Sequence, residues 1–375
     1  MNQRGTDVYI TGIGSFSPGD KIPFDRIDGV LGEITDAPPK LMKWIKKVQP
    51  TMKEMLGMEY FHYAIDPVTK KPTEDNVSMC VKSARKALDM AGMKASDINL
   101  LIYGGAMMEQ VAPPTSTLIQ DKLNIPYCAE MSIHSNCTSI YKALQVGTDL
   151  IANGRYQSAL LMSSQLSSPF LSARHYNQKI LERDQVILRW FLCDGAGAVV
   201  LSNKKNPGGI NLRVVDTYLE SVGAGLGPDM YALFGGHRAQ PLEAYEHGWH
   251  HLTQNITNVA KVAPSLCKKG MDNMLARTGL DMNRVKYFLA NIPTRHFMDL
   301  IIAGLKKTYK VPQVNFYTKL GDRGYQGAPA ILIALDEFFQ EHSQEQKLER
   351  GDLLMSLVTE SSKWMQAGFI LEYTD

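Results

Sequence analysis

No apolar run in this chain approaches the roughly 20 residues needed to cross a bilayer as a helix. The opening residues, Met1-Asn2-Gln3-Arg4-Gly5-Thr6-Asp7, pass straight into Val8-Tyr9-Ile10 without the apolar core of a signal peptide. Both absences lead us to expect a cytoplasmic protein with no membrane contact. Cysteine is scarce: five residues, an odd number without paired spacing. That excludes a disulfide framework and a structural zinc site, and leaves reduced thiols. An excess of one charge is also missing, with 40 basic and 38 acidic residues and no basic tract for nucleic acid.

What is present is length and repetition. A chain of 375 residues can bury a large core, as two domains or as two halves of one fold. Residues 84–103 read as a helix, a turn at Gly92, a polar linker and the apolar strand Ile98-Asn99-Leu100-Leu101-Ile102-Tyr103. Residues 271–290 repeat this, with Gly279 on Gly92, Val285 on Ile98 and Tyr287 to Leu289 on Leu100 to Ile102. Each copy continues to a helix closed by a similar tripeptide, Asn124-Ile125-Pro126 or Lys310-Val311-Pro312, and later to Leu-Leu-Met-Ser, at 160–163 and 353–356. The shared order marks an internal duplication. Alternating helices and short apolar strands predict an α/β architecture with buried sheets. A polar, Gly/Pro-rich turn at 203–209 divides the chain into halves of 1–205 and 206–375. The Gly-, Pro- and aromatic-rich stretch Ser221–Gly248 is expected to be a long loop over a pocket.

Cys137 is the foremost candidate for chemistry. It stands in Ile133-His134-Ser135-Asn136-Cys137-Thr138-Ser139, and a helical pattern follows from Ile140 to Asn153. A sulfur at a helix start meets free N–H groups and the positive end of the macrodipole, which should lower its pKa and favour attack on a thioester. The alternative is a small buried core cysteine.

Duplicated α/β halves with a cysteine at a helix start resemble the thiolase superfamily, and more closely the β-ketoacyl-acyl carrier protein synthase III enzymes and their relatives in specialised metabolism. Ile10-Thr11-Gly12-Ile13-Gly14 resembles the opening strand of that family, Cys193-Asp194-Gly195-Ala196-Gly197-Ala198 its Gly-Asp-Gly-Ala-Gly-Ala segment, and Gly351-Asp352-Leu353-Leu354 the start of its last long strand. The resemblance implies a thiolase fold, two pseudo-symmetric halves in a layered αβαβα sandwich. It implies a Cys–His–Asn site in which the cysteine takes an acyl group from coenzyme A or a carrier protein.

Cys137 matches the nucleophile; the other two positions depart from the pattern. The histidine falls on Thr294 when aligned on Pro293, and on His296 when aligned on the following helix. His296 is preferred, because an imidazole can act as a base near neutral pH. The asparagine position carries Tyr325, with Gln326 as a second donor. In place of the family's glycine run stands Thr359-Glu360-Ser361-Ser362. Glu360 is expected to orient His296 or to act as a base, and an N–H of Ser361 or a neighbour to serve an oxyanion hole.

The resemblance places a pantetheine entrance near Trp44 and Lys47, with Ser361 also facing the thioester, and a dimer contact near Met107, Met108, Glu109 and residues 113–115. Coenzyme A or phosphopantetheine thioesters would be substrates, with no permanently bound cofactor and no metal. His247, His250 and His251 read as a helix surface or pocket rim rather than metal ligands. The expected activity is transfer of an acyl group from Cys137 to a small-molecule acceptor, by carbon–carbon condensation or acyl transfer, in a homodimer or a heterodimer. The rivals are a non-catalytic ketosynthase-like subunit and a hydroxymethylglutaryl-CoA synthase-like enzyme with Glu109 as base.

Overall fold

The computed structural model describes residues 5–233, 240–345 and 348–374. Its main sheet is built, in chain order, from β1 (Tyr9–Phe16), β2 (Leu100–Gly105), β3 (Ala129–His134), β4 (Ser158–Gln165), β5 (Gly195–Ser202), β6 (Leu212–Ser221), β7 (Val285–Leu289), β8 (Asn315–Tyr317), β9 (Leu353–Glu360) and β10 (Met365–Tyr373). Across the sheet they run β8-β7-β9-β10-β6-β1-β5-β4-β2-β3. Outward from the centre, one half reads 1-5-4-2-3 and the other 6-10-9-7-8, so adding five to each strand number converts one half into the other. The directions obey the same rule. The pairs β1/β5, β5/β4, β6/β10 and β10/β9 are antiparallel, whereas β4/β2, β2/β3, β9/β7 and β7/β8 are parallel.

The sequence echo therefore has a structural counterpart. Leu100–Ile102 lies in β2 and Tyr287–Leu289 in β7, each second from its edge. Leu-Leu-Met-Ser lies in the equivalent strands β4 and β9. Even the loops correspond: Gly92 and Gly279 both end helices at left-handed φ of 63° and 66°, and Asn124 and Lys310 both have φ of 54°. A left-handed residue satisfies the last carbonyls of a helix and turns the chain back towards the sheet.

Six helices matter for the site: α1 (Pro39–Leu56), α2 (Asn76–Ala91), α3 (Ser139–Ala152), α4 (Ile256–Thr278), α5 (Arg295–Tyr309) and α6 (Ala330–Glu345). Buried residues of α2 recur at Val77, Cys80, Val81, Ala84, Leu88 and Ala91, one face of a 3.6-residue period, and α2 packs outside β1, β5 and β4. Its start is fixed by a capping box: Asp75 accepts from Ser78 N–H at 2.6 Å and Ser78 Oγ accepts from Asp75 N–H at 2.9 Å. On the other half α4 covers β9, β10 and β6. Between the halves lie α3, against β2, β4, β6 and β10, and α6, against β1, β5 and β7. This gives the layered αβαβα arrangement and buries α3 from both sides. The start of α3 faces a cavity of about 1400 Å³.

The Ser221–Gly248 stretch is only partly loop. Met230–Tyr231 pairs with Thr253–Gln254, and Pro241–Glu246 is a short helix. Residues 234–239 lie outside the described residues. Met230, Tyr231, Leu252 and Gln254 do line the cavity. Among the described residues no helix is long and apolar enough to cross a membrane, and no group of His, Cys, Asp and Glu could hold a metal ion. His250 and His251 are buried with His175 instead of forming a surface: His250 faces the His175 carbonyl at 2.8 Å, and His251 accepts from Asn177 N–H at 2.9 Å.

Candidate active site

Cys137 directly precedes Thr138, the N-cap of α3. The sheet ends here at β3, and the turn 135–138 delivers the sulfur to the cavity. Tyr325 reaches it from the other half of the chain, with Sγ and Oη 3.2 Å apart. Tyr325 stands where Gly324 turns the chain at φ 73°, after a bond from Tyr325 N–H to the Phe191 carbonyl. Burial and the neighbouring Cys137 hold its phenol well above its ordinary pKa, so it meets the sulfur as a neutral hydrogen-bonding group.

Glu360, at the end of β9, is 1% exposed and is fastened to the start of α3. Its carboxylate accepts from Thr138 N–H at 2.8 Å, Thr138 Oγ–H at 2.6 Å, Ser135 Oγ–H at 3.1 Å and Ser362 Oγ–H. Lys142 Nζ donates to Ser135 Oγ at 2.8 Å and so backs the same cluster, although burial lowers its pKa. The anion that the helix N-terminus attracts is thus a side chain of the protein itself.

This reverses one expectation from the sequence. The thiol of Cys137 is not acidified: its pKa is pushed up to about 12, first by burial and then by the Glu360 carboxylate, against a smaller opposing effect of the Tyr325 hydrogen bond. The helix-start N–H of Thr138 that would favour a thiolate is spent on Glu360.

His296 requires a second correction. Helix α5 begins at Arg295, and Thr294 is its N-cap, buried, with Oγ1 accepting from Phe297 N–H at 3.4 Å. The cap side chain turns inward while the first helical turn faces out, so His296 is exposed on the cavity wall with its ring near Phe297. The side chain bonded to the sulfur is Tyr325, not His296. Gln326 is buried and bonded to Arg323, so it is not a donor towards Cys137.

Of the residues expected near the thioester, Trp44 and Ser361 line the cavity. Trp44 stacks on Trp190 with ring centroids 5.6 Å apart, and Ser361 Oγ accepts from Gln254 Nε2 at 2.9 Å. Lys47 is exposed on α1 and does not line the cavity. Glu109 lines it but is occupied, accepting from Asn76 N–H at 2.9 Å at the start of α2. The walls are mostly apolar and include Val48, Met52, Leu166, Phe170, Phe191 and Ile301. Such walls suit alkyl chains, and methionine adapts to their shape.

Four participants were missed in the sequence. Ser135 and Thr138 stand beside Cys137, but only the fold brings Glu360 to them. Lys142 had no signal beyond its helical spacing from the turn. Asn291 also lines the cavity, buried, just after the apolar run Val285–Ala290.

Residues 131–223, which carry Cys137 and the glycine-rich start of β5, match the family 3-oxoacyl-(acyl-carrier-protein) synthase III. Over this segment the chain matches that family, and over nearly its whole length it is similar to β-ketoacyl synthase III enzymes. It is by class an acyltransferase. Beta-ketoacyl-(acyl-carrier-protein) synthase III of Clostridium perfringens (strain SM101 / Type A) is 23% identical over 347 residues, 92% of this chain and 93% of that protein. The enzyme of the same name from Hyphomonas neptunium is 23% identical over 358 residues, 94% and 95% of the two chains. Among solved structures, the tetronic acid condensing enzyme AbyA1 is similar with a TM-score of 0.78 at 21% identity, covering 97% of this chain and 99% of that one. Xanthomonas campestris OleA gives 0.75 at 14%, covering 98% and 99%. These structural likenesses concern the fold of the synthase III-type chain.

Proposed function

We propose that this chain is an acyl-thioester-dependent condensing enzyme of specialised metabolism, in the cytoplasm, that loads an acyl group on Cys137 and passes it to a second small molecule. The observation that carries the proposal is the Cys137 sulfur, bonded to Tyr325 in a mostly apolar cavity of about 1400 Å³. Acyl-CoA or an acyl carrier protein is the donor. As the sulfur attacks the thioester carbonyl, its proton passes to Glu360 and the Tyr325 hydroxyl steadies the negative sulfur; the coenzyme A or carrier thiolate then leaves and takes up that proton. Trp44 and Ser361 flank the pantetheine arm, Lys47 meets phosphate or an acidic carrier surface, and His296 touches the incoming thioester at the wall.

Thr294 cannot play the part of the family's histidine, because its hydroxyl carries no proton that moves near pH 7, and Tyr325 is larger than the family's asparagine and has its hydroxyl bonded to the Cys137 sulfur. This favours an acceptor other than the malonyl thioester of fatty-acid initiation. A homodimer or a heterodimer with a related subunit is part of the proposal. It is supported by β3, which pairs only with β2 among the described strands, and by Met108 and Val111, 51% and 89% exposed nearby.

The test is intact mass spectrometry after incubation with acetyl-, octanoyl- and myristoyl-CoA and the corresponding carrier-protein thioesters. We expect one acyl mass per chain, absent from Cys137→Ala. An acyl mass retained by Cys137→Ala refutes the proposal.

A further inference from the structure

Asn291 is the one described residue with both polar atoms of a buried side chain unpartnered. It is 4% exposed, and it lines the cavity together with Cys137, Tyr325 and Glu360. Its amide lies beside the Tyr141 hydroxyl on α3, which places it on the side of the sheet that carries the nucleophile. Ser356 Oγ donates to the Leu289 carbonyl at 2.9 Å, so Tyr141 gives its own proton to Ser356 Oγ, 2.8 Å away, and cannot donate to Asn291 Oδ1. The Tyr141 oxygen faces one of the two Nδ2 N–H groups at most, which leaves the other N–H and Oδ1 open. A buried amide with open donor and acceptor positions costs folding free energy, and such groups are rare outside functional sites.

We infer that Asn291 is a catalytic residue of the second half-reaction, whose Nδ2 donates to the carbonyl oxygen of the acyl acceptor as that acceptor becomes an enolate. The acceptor is therefore a thioester or ketone with a hydrogen on the carbon next to its carbonyl. The inference rests on the proposed loading of Cys137. In the step, a C–H bond of the acceptor breaks and its proton goes to Glu360. The electron pair, held as an enolate by the Asn291 amide, forms a C–C bond to the carbonyl carbon of the Cys137 thioester. The C–S bond breaks, and the sulfur takes the proton back from Glu360 to leave a thiol. A neutral amide suits this place, because it stabilises a growing negative charge beside Glu360 without a proton of its own to lose.

The role can be tested without knowing the natural acceptor. Acetyl-, octanoyl- and myristoyl-CoA are incubated in D₂O with the wild type, Asn291→Leu and Asn291→Ala, and deuterium at the α-carbon is read by mass spectrometry. We expect exchange in the wild type with at least one of these thioesters, and a loss of about 10²–10³-fold in both variants, the usual effect of removing one oxyanion donor. Asn291→Leu should keep or raise Tm, since an apolar side chain of similar size removes two unsatisfied atoms. Acylation of Cys137, followed in the same samples, should stay within about threefold, whereas a structural defect would lower both. Exchange that is unchanged in both variants, or absent in the wild type with all three thioesters, overturns the role of Asn291. Failure of Cys137 to acylate overturns the loading step on which it rests, and the two failures are read from separate signals.

Discussion

At the scale of single residues, the site is governed by where Glu360 puts its charge. Burial first, and then the carboxylate at the start of α3, raise the pKa of Cys137, so the free thiol is almost wholly protonated near pH 7. The sign can be worked out directly: the thiolate fraction grows about tenfold per pH unit until pH approaches the raised pKa. Alkylation of Cys137 by iodoacetamide should therefore rise steadily from pH 7 to 10 without a plateau, as measured by peptide mapping. Glu360→Gln removes the second-largest cause of the shift and should speed alkylation at any fixed pH in that range, while slowing acyl loading if Glu360 accepts the thiol proton. At pH 7 Cys137 should show no advantage in labelling over Cys128, which is likewise half-buried. Equal pH profiles in wild type and Glu360→Gln would show that the carboxylate does not act on the sulfur.

At the scale of elements, helix starts decide which side chains reach the cavity. Thr294 caps α5 and faces inward, and the next two residues face out. His296→Ala is therefore expected to leave the rate of Cys137 acylation within about threefold, well short of the 10²–10⁴ lost when an acid/base residue is removed. Thr294→Ala should lower stability by about 0.5–1 kcal/mol through loss of the cap, at the modest end because the bond is 3.4 Å long. Denaturant titration separates this from any change in loading. The buried carboxylate of Asp194 does similar work at the start of β5. It accepts from Ala64 N–H at 2.7 Å and Ser168 N–H at 2.9 Å, joining two loops in front of the cavity, and burial raises its pKa to about 6. Those bonds hold the 167–171 turn, and with it the Phe170 wall.

At the scale of the whole molecule, the middle of the sheet depends on close packing of α2. A Cβ at Gly12 would lie 2.0 Å from the Ala87 carbonyl oxygen, and one at Gly14 2.3 Å from that of Ser83. Both contacts are to helix backbone, which cannot rotate aside, so only glycine lets α2 approach β1. Gly12→Ala should push the helix off the strand and cost more than about 3 kcal/mol, seen as a large fall in Tm or loss of soluble protein. Because β1 and β6 meet at the centre of the sheet, the damage should reach both halves and abolish acyl loading. A Gly12→Ala protein with wild-type Tm would refute this account of the core.

Much of the architecture was legible in the chain because it is local. Apolar periodicity, the glycines that end helices and the repeated order of motifs are set by neighbours in sequence, and they translate directly into strand n matching strand n + 5. The helix-start position of Cys137 was legible for the same reason. The chemistry of that cysteine was not. Glu360 lies 222 residues from Thr138 and Tyr325 188 residues from Cys137, and nothing local announces that the fold brings them together. Once it does, burial and a neighbouring charge outweigh the helix N-terminus that the sequence displays. Likewise, which of Thr294 and His296 faces inward is decided by one residue of helix phase, and an unpartnered Asn291 exists only relative to the groups packed around it. Local order sets the elements of this protein; the electrostatics of its site arise from distant residues made neighbours in a buried site.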